Sequence, residues 1–132
     1  MLIVSGLVFA ITNNAKVSIA TALIAFTSIG VYSMFLTLRS FQCSRQIAMI
    51  GASTLPFLNY SVTNWLVRGA MAEYSAMMLI PLALYAVKKS LDRGSLYAPI
   101  GFVFGCLFLA HSVIAYYTAL IFGAVLVTGC LF

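Results

Sequence analysis

Arg68 and Glu73 are the two side chains best placed for chemistry, because they stand five residues apart beside a long apolar run. Glu73 is the only glutamate, and we expect it in the first turns of a helix that begins near residue 70. A carboxylate at that position is stabilised by the positive end of the helix dipole. The residues alone are equally consistent with two interpretations: an ion pair that fastens a loop to the helix end, or an anion or substrate site.

Further candidates are one histidine and two aromatic residues. His111, the only histidine, interrupts the last apolar stretch. We predict a polar turn residue or an interhelical hydrogen bond for it, and the alternative is a site residue in the same layer as Arg68 and Glu73. Asn64 lies beside the same layer, and the aromatic residues Tyr60 and Trp65 precede Arg68. Such residues are typical of the aromatic belt at a membrane interface, and substrate stacking is the alternative.

The chain contains no complete catalytic set. It has no pair of carboxylates close in sequence, no His/Cys cluster with metal-ligand spacing, no G-x-S-x-G and no glycine-rich phosphate loop. Cys43, Cys106 and Cys130 have no C-x-x-C spacing, so we interpret them as packing residues that form neither a metal site nor a disulfide. We therefore predict no metal and no cofactor, and no catalytic residue is assigned.

The composition indicates the elements that must position these side chains. Hydrophobic residues make up 64% of the chain, and the 132 residues include only seven basic and two acidic ones. A soluble domain carries about 25% charged residues. In hydrocarbon the backbone must satisfy its own hydrogen bonds, which allows a helix bundle or a closed barrel. The apolar runs do not alternate as barrel strands do. We predict an all-α, polytopic transmembrane helix bundle that forms one domain over residues 1–132.

The lengths of the apolar runs divide this bundle into segments. About 20 apolar residues are needed to cross the ~30 Å hydrocarbon layer, so the run from residue 96 to the end must be split, and His111 is its polar interruption. We expect a polar-aromatic loop over residues 59–68. Because both ends of the chain are apolar, we also expect it to be part of a longer membrane protein. The predicted spans are 1–11 (partial), 17–38, 46–58 (short or re-entrant), 70–87, 96–110 and 113–132.

The net charge of +5 could suggest a nucleic-acid-binding protein, but the basic residues are scattered and form no stripe. They lie near the ends of apolar runs, as membrane topology requires. The loops over 39–45 and 88–95 carry most of them and are predicted to be cytoplasmic. Alternation then places segments 12–16, 59–69 and 111–112 on the opposite side. The predicted partner is a lipid bilayer, not nucleic acid, and the oligomeric state is undetermined.

One stretch, Leu58 to Leu84, resembles a pattern in bacterial polytopic membrane proteins. An aromatic segment leads to Arg68-Gly69-x-x-x-Glu73, then to an apolar run with Pro81 and, one helix later, to Ala110-His111-Ser112. The pattern is that of the pyruvoyl-tetrahydropterin-synthase-related membrane domain and its YfhO-like relatives, which are grouped with the GT-C glycosyltransferases. The resemblance covers roughly residues 45–125. Ser112 stands where the pattern has asparagine.

The resemblance implies a GT-C-like fold at the bacterial inner membrane, with Arg68, Glu73 and His111 lining an outer cavity. Sugar would then pass from a polyprenyl-phosphate carrier at the non-cytoplasmic face. Arg68 would neutralise the phosphate, Glu73 would orient Arg68 or bind a hydroxyl, and His111 would bind phosphate or sugar. GT-C enzymes carry an essential acid in an early outer loop, and segment 12–16 has none. The enzyme assignment is therefore open, and a transporter component or a non-catalytic membrane scaffold are the alternatives.

Overall fold

A computed structural model describes the backbone of residues 2–131, and the side chains of that range except at positions 2, 65, 66, 130 and 131. The described residues form helices and turns without any strand, which confirms the all-α prediction. A 3₁₀ turn, Leu55–Phe57, precedes α4, and one π-helical turn, Thr63–Val67, follows it. The helices are α1 (Leu2–Thr12), α2 (Ala15–Ser40), α3 (Arg45–Thr54), α4 (Asn59–Val62), α5 (Met71–Arg93), α6 (Ile100–Ala110) and α7 (Ser112–Leu131).

Two helices, α2 and the Ser112–Gly129 part of α7, are long and apolar enough to cross a membrane. Only 22% and 11% of their most apolar windows are buried within the structure. The core helix of a soluble protein would be largely covered by its own fold, whereas here most of the apolar surface faces outward. Two shorter helices, Ile3–Thr12 and Ile100–Ala110, are also apolar. The remaining spans and the polytopic arrangement stay predictions.

The centre of the fold is a close, parallel pairing of α2 with α5. A Cβ added to Gly30 would lie 2.8 Å from Sδ and 3.0 Å from the backbone oxygen of Met78, so only a glycine lets the two backbones approach this closely. Seven residues further along α2, Thr37 donates a hydrogen bond to the Pro81 carbonyl over 2.9 Å. Because both contacts advance in the same direction along each helix, α2 and α5 begin at the same end of the bundle.

Between these two helices the chain returns as α3 and a broken helical segment. Ser44 caps α3 by accepting from the Ile47 amide at 3.4 Å. The 3₁₀ turn follows at Pro56, whose missing N–H interrupts the hydrogen-bond pattern of an α-helix. The loop predicted over residues 59–68 is wrong, because the structure places α4 and the π-helical turn there. The polar residues of this segment are typical of a loop, but its backbone amides and carbonyls form helical hydrogen bonds.

The broken segment ends at Gly69, one residue after the π-helical turn closes. The Arg68 amide donates to the Thr63 carbonyl at 2.9 Å, an i to i+5 bond. Gly69 then takes a positive φ of 61°, which costs a glycine little. The Ala70 amide donates back to the Asn64 carbonyl at 2.8 Å. This tight reversal brings residues of the π-helical turn next to the first turn of α5.

The break predicted at His111 is confirmed. His111 is extended, with φ −162° and ψ 109°, between α6 and α7. Leu107 and Ala115, on either side of the break, belong to one buried cluster with Leu79 of α5. Gly129 lies against Leu91, so α7 runs parallel to α5 and α6 runs antiparallel to both.

The basic loops lie at one end of the bundle. Lys88 Nζ is 5.7 Å from the centre of the Phe41 ring, which joins the end of α5 to the end of α2. The loops over 39–45 and 88–95, which were predicted to face the same side of a membrane, are therefore neighbours in space. At the opposite end, α1 folds back on α2, and Ser18 Oγ donates to the Ser5 carbonyl.

Candidate functional site

Four polar side chains meet where α5 begins. Three of them, Tyr60, Asn64 and Arg68, follow one another at intervals of four residues along α4 and the π-helical turn, and this spacing places them on one face. The fourth, Glu73, lies in the first turn of α5. The reversal at Gly69 turns that face toward Glu73. We call these four residues the α5 polar cluster.

Arg68 and Glu73 form an ion pair with two parallel contacts. Nη1 lies 3.1 Å from Oε2, and Nη2 lies 3.4 Å from Oε1. This fork-to-fork geometry is the arrangement in which arginine binds a carboxylate most specifically. The ion pair predicted as one of the two interpretations is confirmed. It does not by itself test the other interpretation, an anion or substrate site.

Asn64, which the sequence placed beside the layer of Arg68 and Glu73 without a site role, belongs to the cluster. Its side chain is fully buried, and Oδ1 accepts a hydrogen bond from Arg68 Nη1 at 3.2 Å. The buried Nδ2 has no hydrogen-bond partner among the described residues. A buried donor left without a partner costs about 1–3 kcal/mol. Its four-residue spacing to Arg68 was visible in the sequence, but its burial depends on how the broken segment packs.

The two aromatic candidates have different outcomes. Tyr60 belongs to the cluster, since its hydroxyl donates to Glu73 Oε2 at 3.1 Å, and its ring is half exposed. Glu73 Oε2 thus accepts from both a phenol and a guanidinium. The side chain of Trp65, the other aromatic candidate, lies outside the described residues.

His111 shares the depth of the cluster without joining it. It precedes Ala115 by one helical turn, and Ala115 packs in the same cluster as Leu79. At about 1.5 Å per residue this places His111 near the level of Ser75, within about one turn of Glu73. Across residues 2–131 no described hydrogen bond or ion pair joins His111 to Arg68 or Glu73. Its Nδ1 instead accepts from the Ile114 amide at 3.4 Å and caps α7.

The guanidinium of Arg68 keeps capacity for a further ligand. Its side chain is 52% exposed, compared with 21% for Glu73. An arginine has five N–H donors, and the described hydrogen bonds of Arg68 use three of them. The remaining N–H groups and the exposed face of the guanidinium are suited to a phosphate or carboxylate. Glu73 and Asn64 hold that face in place.

No metal site is visible in the described part of the chain, which contains no group of three His, Cys, Asp or Glu side chains that could hold an ion. Cys43 and Cys106 are free thiols, and the side chain of Cys130 is not described.

Comparisons with known proteins add no family to this geometry. No family model matches the chain, and neither a curated protein nor a solved structure is significantly similar to it. The GT-C resemblance accordingly stays a prediction from the residues that carry it.

Proposed function

We propose that this chain is a segment of a multi-pass protein of the bacterial inner membrane that binds a lipid-linked phosphate at Arg68. The reaction proposed is GT-C-like transfer of a sugar from a polyprenyl-phosphate carrier at the non-cytoplasmic face. The observation that carries the proposal is the Arg68 guanidinium, which is half exposed yet fixed by Glu73 and Asn64. A fixed, accessible guanidinium is the group best suited to a phosphate.

The proposed depth of the cluster fits a lipid-borne phosphate. Lys88, in the last turns of α5, marks the cytoplasmic end under the proposed orientation. Glu73 precedes it by 15 residues, or about 22 Å of helix. This is less than the ~30 Å thickness of the hydrocarbon layer. Glu73 would then lie about 8 Å inside the opposite interface, and the side chain of Arg68 would have to reach from there toward the headgroup of an outer-leaflet lipid.

Each residue of the cluster has a distinct proposed role. As the bond between sugar and phosphate breaks, negative charge grows on the phosphate oxygens, and Arg68 would stabilise that charge. Glu73 and Asn64 would act as positioning residues, since both bind Arg68 directly. Tyr60 would hold Glu73. His111, at a similar depth, would bind phosphate or sugar.

The test replaces Arg68 with Gln in the full chain and measures transfer from a lipid-linked sugar. Loss of a hydrogen-bonded charge in the transition state should lower kcat about 100-fold. Arg68→Lys keeps the positive charge but loses the bidentate geometry of the guanidinium, so its kcat should lie between those of Arg68→Gln and the unchanged protein. Lys16→Gln, which removes an exposed cation near the same end, is the matched control and should leave the rate unchanged. Unchanged transfer in Arg68→Gln would exclude the phosphate role.

A transporter component is the second candidate, and one observation favours it. The segment between α3 and α5 is broken by a 3₁₀ turn and a π-helical turn at the depth of the polar cluster. Transporters build binding sites from such discontinuous helices. Substrate flux into reconstituted vesicles that Arg68→Gln abolishes, without any group transfer, would support this candidate over the enzyme.

A further inference from the structure

A groove between α2 and α3 extends from the basic end of the bundle to Thr27, whose hydroxyl lies 2.7 Å from that of Tyr74 near the start of α5. It has a volume of about 840 Å³ and apolar walls that include Val31 and Phe35. Arg45, the first residue of α3, lines one end, and Ser53, in the last turn of α3, lies toward the other. The groove is open along its side, where Tyr32, Met49 and Ile50 are each more than half exposed.

The length of the groove corresponds to one leaflet of a bilayer. Its lining follows α3, whose 10 residues span about 15 Å. Half of the ~30 Å hydrocarbon layer has the same thickness. The deeper end reaches Thr27 on α2, near the middle of that helix. An acyl chain that starts at the basic end would therefore reach the bilayer centre where the groove ends.

Arg45 differs from the other described cations at this end, because no hydrogen bond, ion pair or ring contact is described for it. It also sits at the N-terminus of α3, where the helix dipole adds to its positive charge. The other cations have partners: Arg39 with the Cys43 carbonyl, Lys88 with Asp92, Lys89 with the Tyr85 ring and Arg93 with the Tyr97 ring.

We propose that the groove binds an acyl chain of an anionic phospholipid from the leaflet at the basic end, with the lipid phosphate at Arg45. A cation at the mouth of an apolar groove matches a molecule with a negative head and an apolar tail. The phosphate position at Arg45 is separate from Arg68, because Arg45 lies at the basic end of the bundle and Arg68 precedes the first residue of α5. The inference rests on the membrane insertion in the proposed function and not on the transfer reaction.

The first experiment measures photolabelling of the full chain in phosphatidylcholine nanodiscs. The probe is phosphatidylglycerol or phosphatidylcholine with a diazirine in the acyl chain, and labelled residues are mapped by mass spectrometry. Labels from phosphatidylglycerol should fall on groove residues about fivefold more often than those from phosphatidylcholine, the preference expected of one interfacial arginine. Arg45→Gln should abolish this preference. Arg39→Gln, which removes a charge at the same end outside the groove, should keep it.

A second variant tests the groove itself. Ile50→Trp adds bulk to an exposed groove position and should reduce labelling at least as strongly as Arg45→Gln. Ile47→Trp is its control, since Ile47 is also exposed on α3 but does not line the groove. Equal labelling by both headgroups, or labelling that neither Arg45→Gln nor Ile50→Trp changes, would overturn the inference.

Two results separate this inference from the proposed function. If the chain resists carbonate extraction but labels avoid the groove, protein covers it and only the lipid site is rejected. If carbonate extracts the chain, the chain is not inserted in the membrane, and both the proposed function and the lipid site are rejected. Loss of transfer in Arg68→Gln together with unchanged labelling in Arg45→Gln would retain the function and reject the lipid site.

Discussion

The two ends of α5 both carry charged side chains, but they hold them in different ways. At the N-terminal end, Glu73 is bound by Tyr60 and Arg68, which come from α4 and from the residue after the π-helical turn. At the C-terminal end, the contacts are mainly local. Lys88 pairs with Asp92, Lys89 with Tyr85 and Arg93 with Tyr97, each four residues away.

The difference indicates different roles for the two ends. Contacts between residues four apart in the chain, such as Lys88 with Asp92, need little tertiary packing, so the C-terminal end is suited to fixing the helix at a membrane surface. The N-terminal cluster exists only when the broken segment and α5 pack together. Polar groups that depend on such packing and include a buried unpartnered donor, as Asn64 does, are more typical of a binding site than of an anchor.

The largest loss of folding stability is expected from a substitution where α2 meets α5, because this contact positions both ends of α5. Gly30→Val would push a side chain into Met78, and should lower the free energy of unfolding by about 2 kcal/mol. Unfolding in mixed micelles measures this change. Gly101→Val is the control: a Cβ at Gly101 meets nothing within 4 Å, so the change there should stay within about 0.5 kcal/mol. Equal effects of the two variants would contradict the close α2–α5 contact.

A smaller effect is expected from a double-mutant cycle on Arg68→Gln and Glu73→Gln. Because the pair is bidentate and partly buried, its coupling free energy should be about 1 kcal/mol. The cycle is measured by the same unfolding assay. A coupling near zero would mean that Arg68 and Glu73 do not act as a pair. If the coupling is present but no variant ever affects transfer or flux, the scaffold alternative is the correct one.

The smallest effect is expected at the other end, from a cycle on Lys88→Gln and Asp92→Asn. A pair four residues apart on a helix surface contributes about 0.4 kcal/mol, and salt should weaken it further. Repeating the unfolding assay at low and high ionic strength tests both statements. A coupling at Lys88–Asp92 equal to that at Arg68–Glu73 would remove the contrast between the two ends.

Several features could be read from residues close together in the chain. The helix break at His111 followed from one polar interruption in a run too long to span once. The Arg68–Glu73 ion pair followed from five-residue spacing across a helix start. Two features were not predicted: the helical form of residues 59–67, and the burial of Asn64, which the sequence placed beside the layer of Arg68 and Glu73 without a site role. Their polar composition was typical of a loop, and only the neighbouring helices determine that it packs as helix.

The amino-acid sequence by itself determined the all-α structure and the outward-facing apolar surface of this protein. With so few charged residues, the backbone must bond to itself, and helices do this within single segments. Only the tertiary structure decided that α2 pairs with α5 at Gly30, that Tyr60 reaches Glu73 and that α2 and α3 enclose a groove beside Arg45. These contacts join residues far apart in the chain, and their energies depend on shape and distance that no local pattern contains.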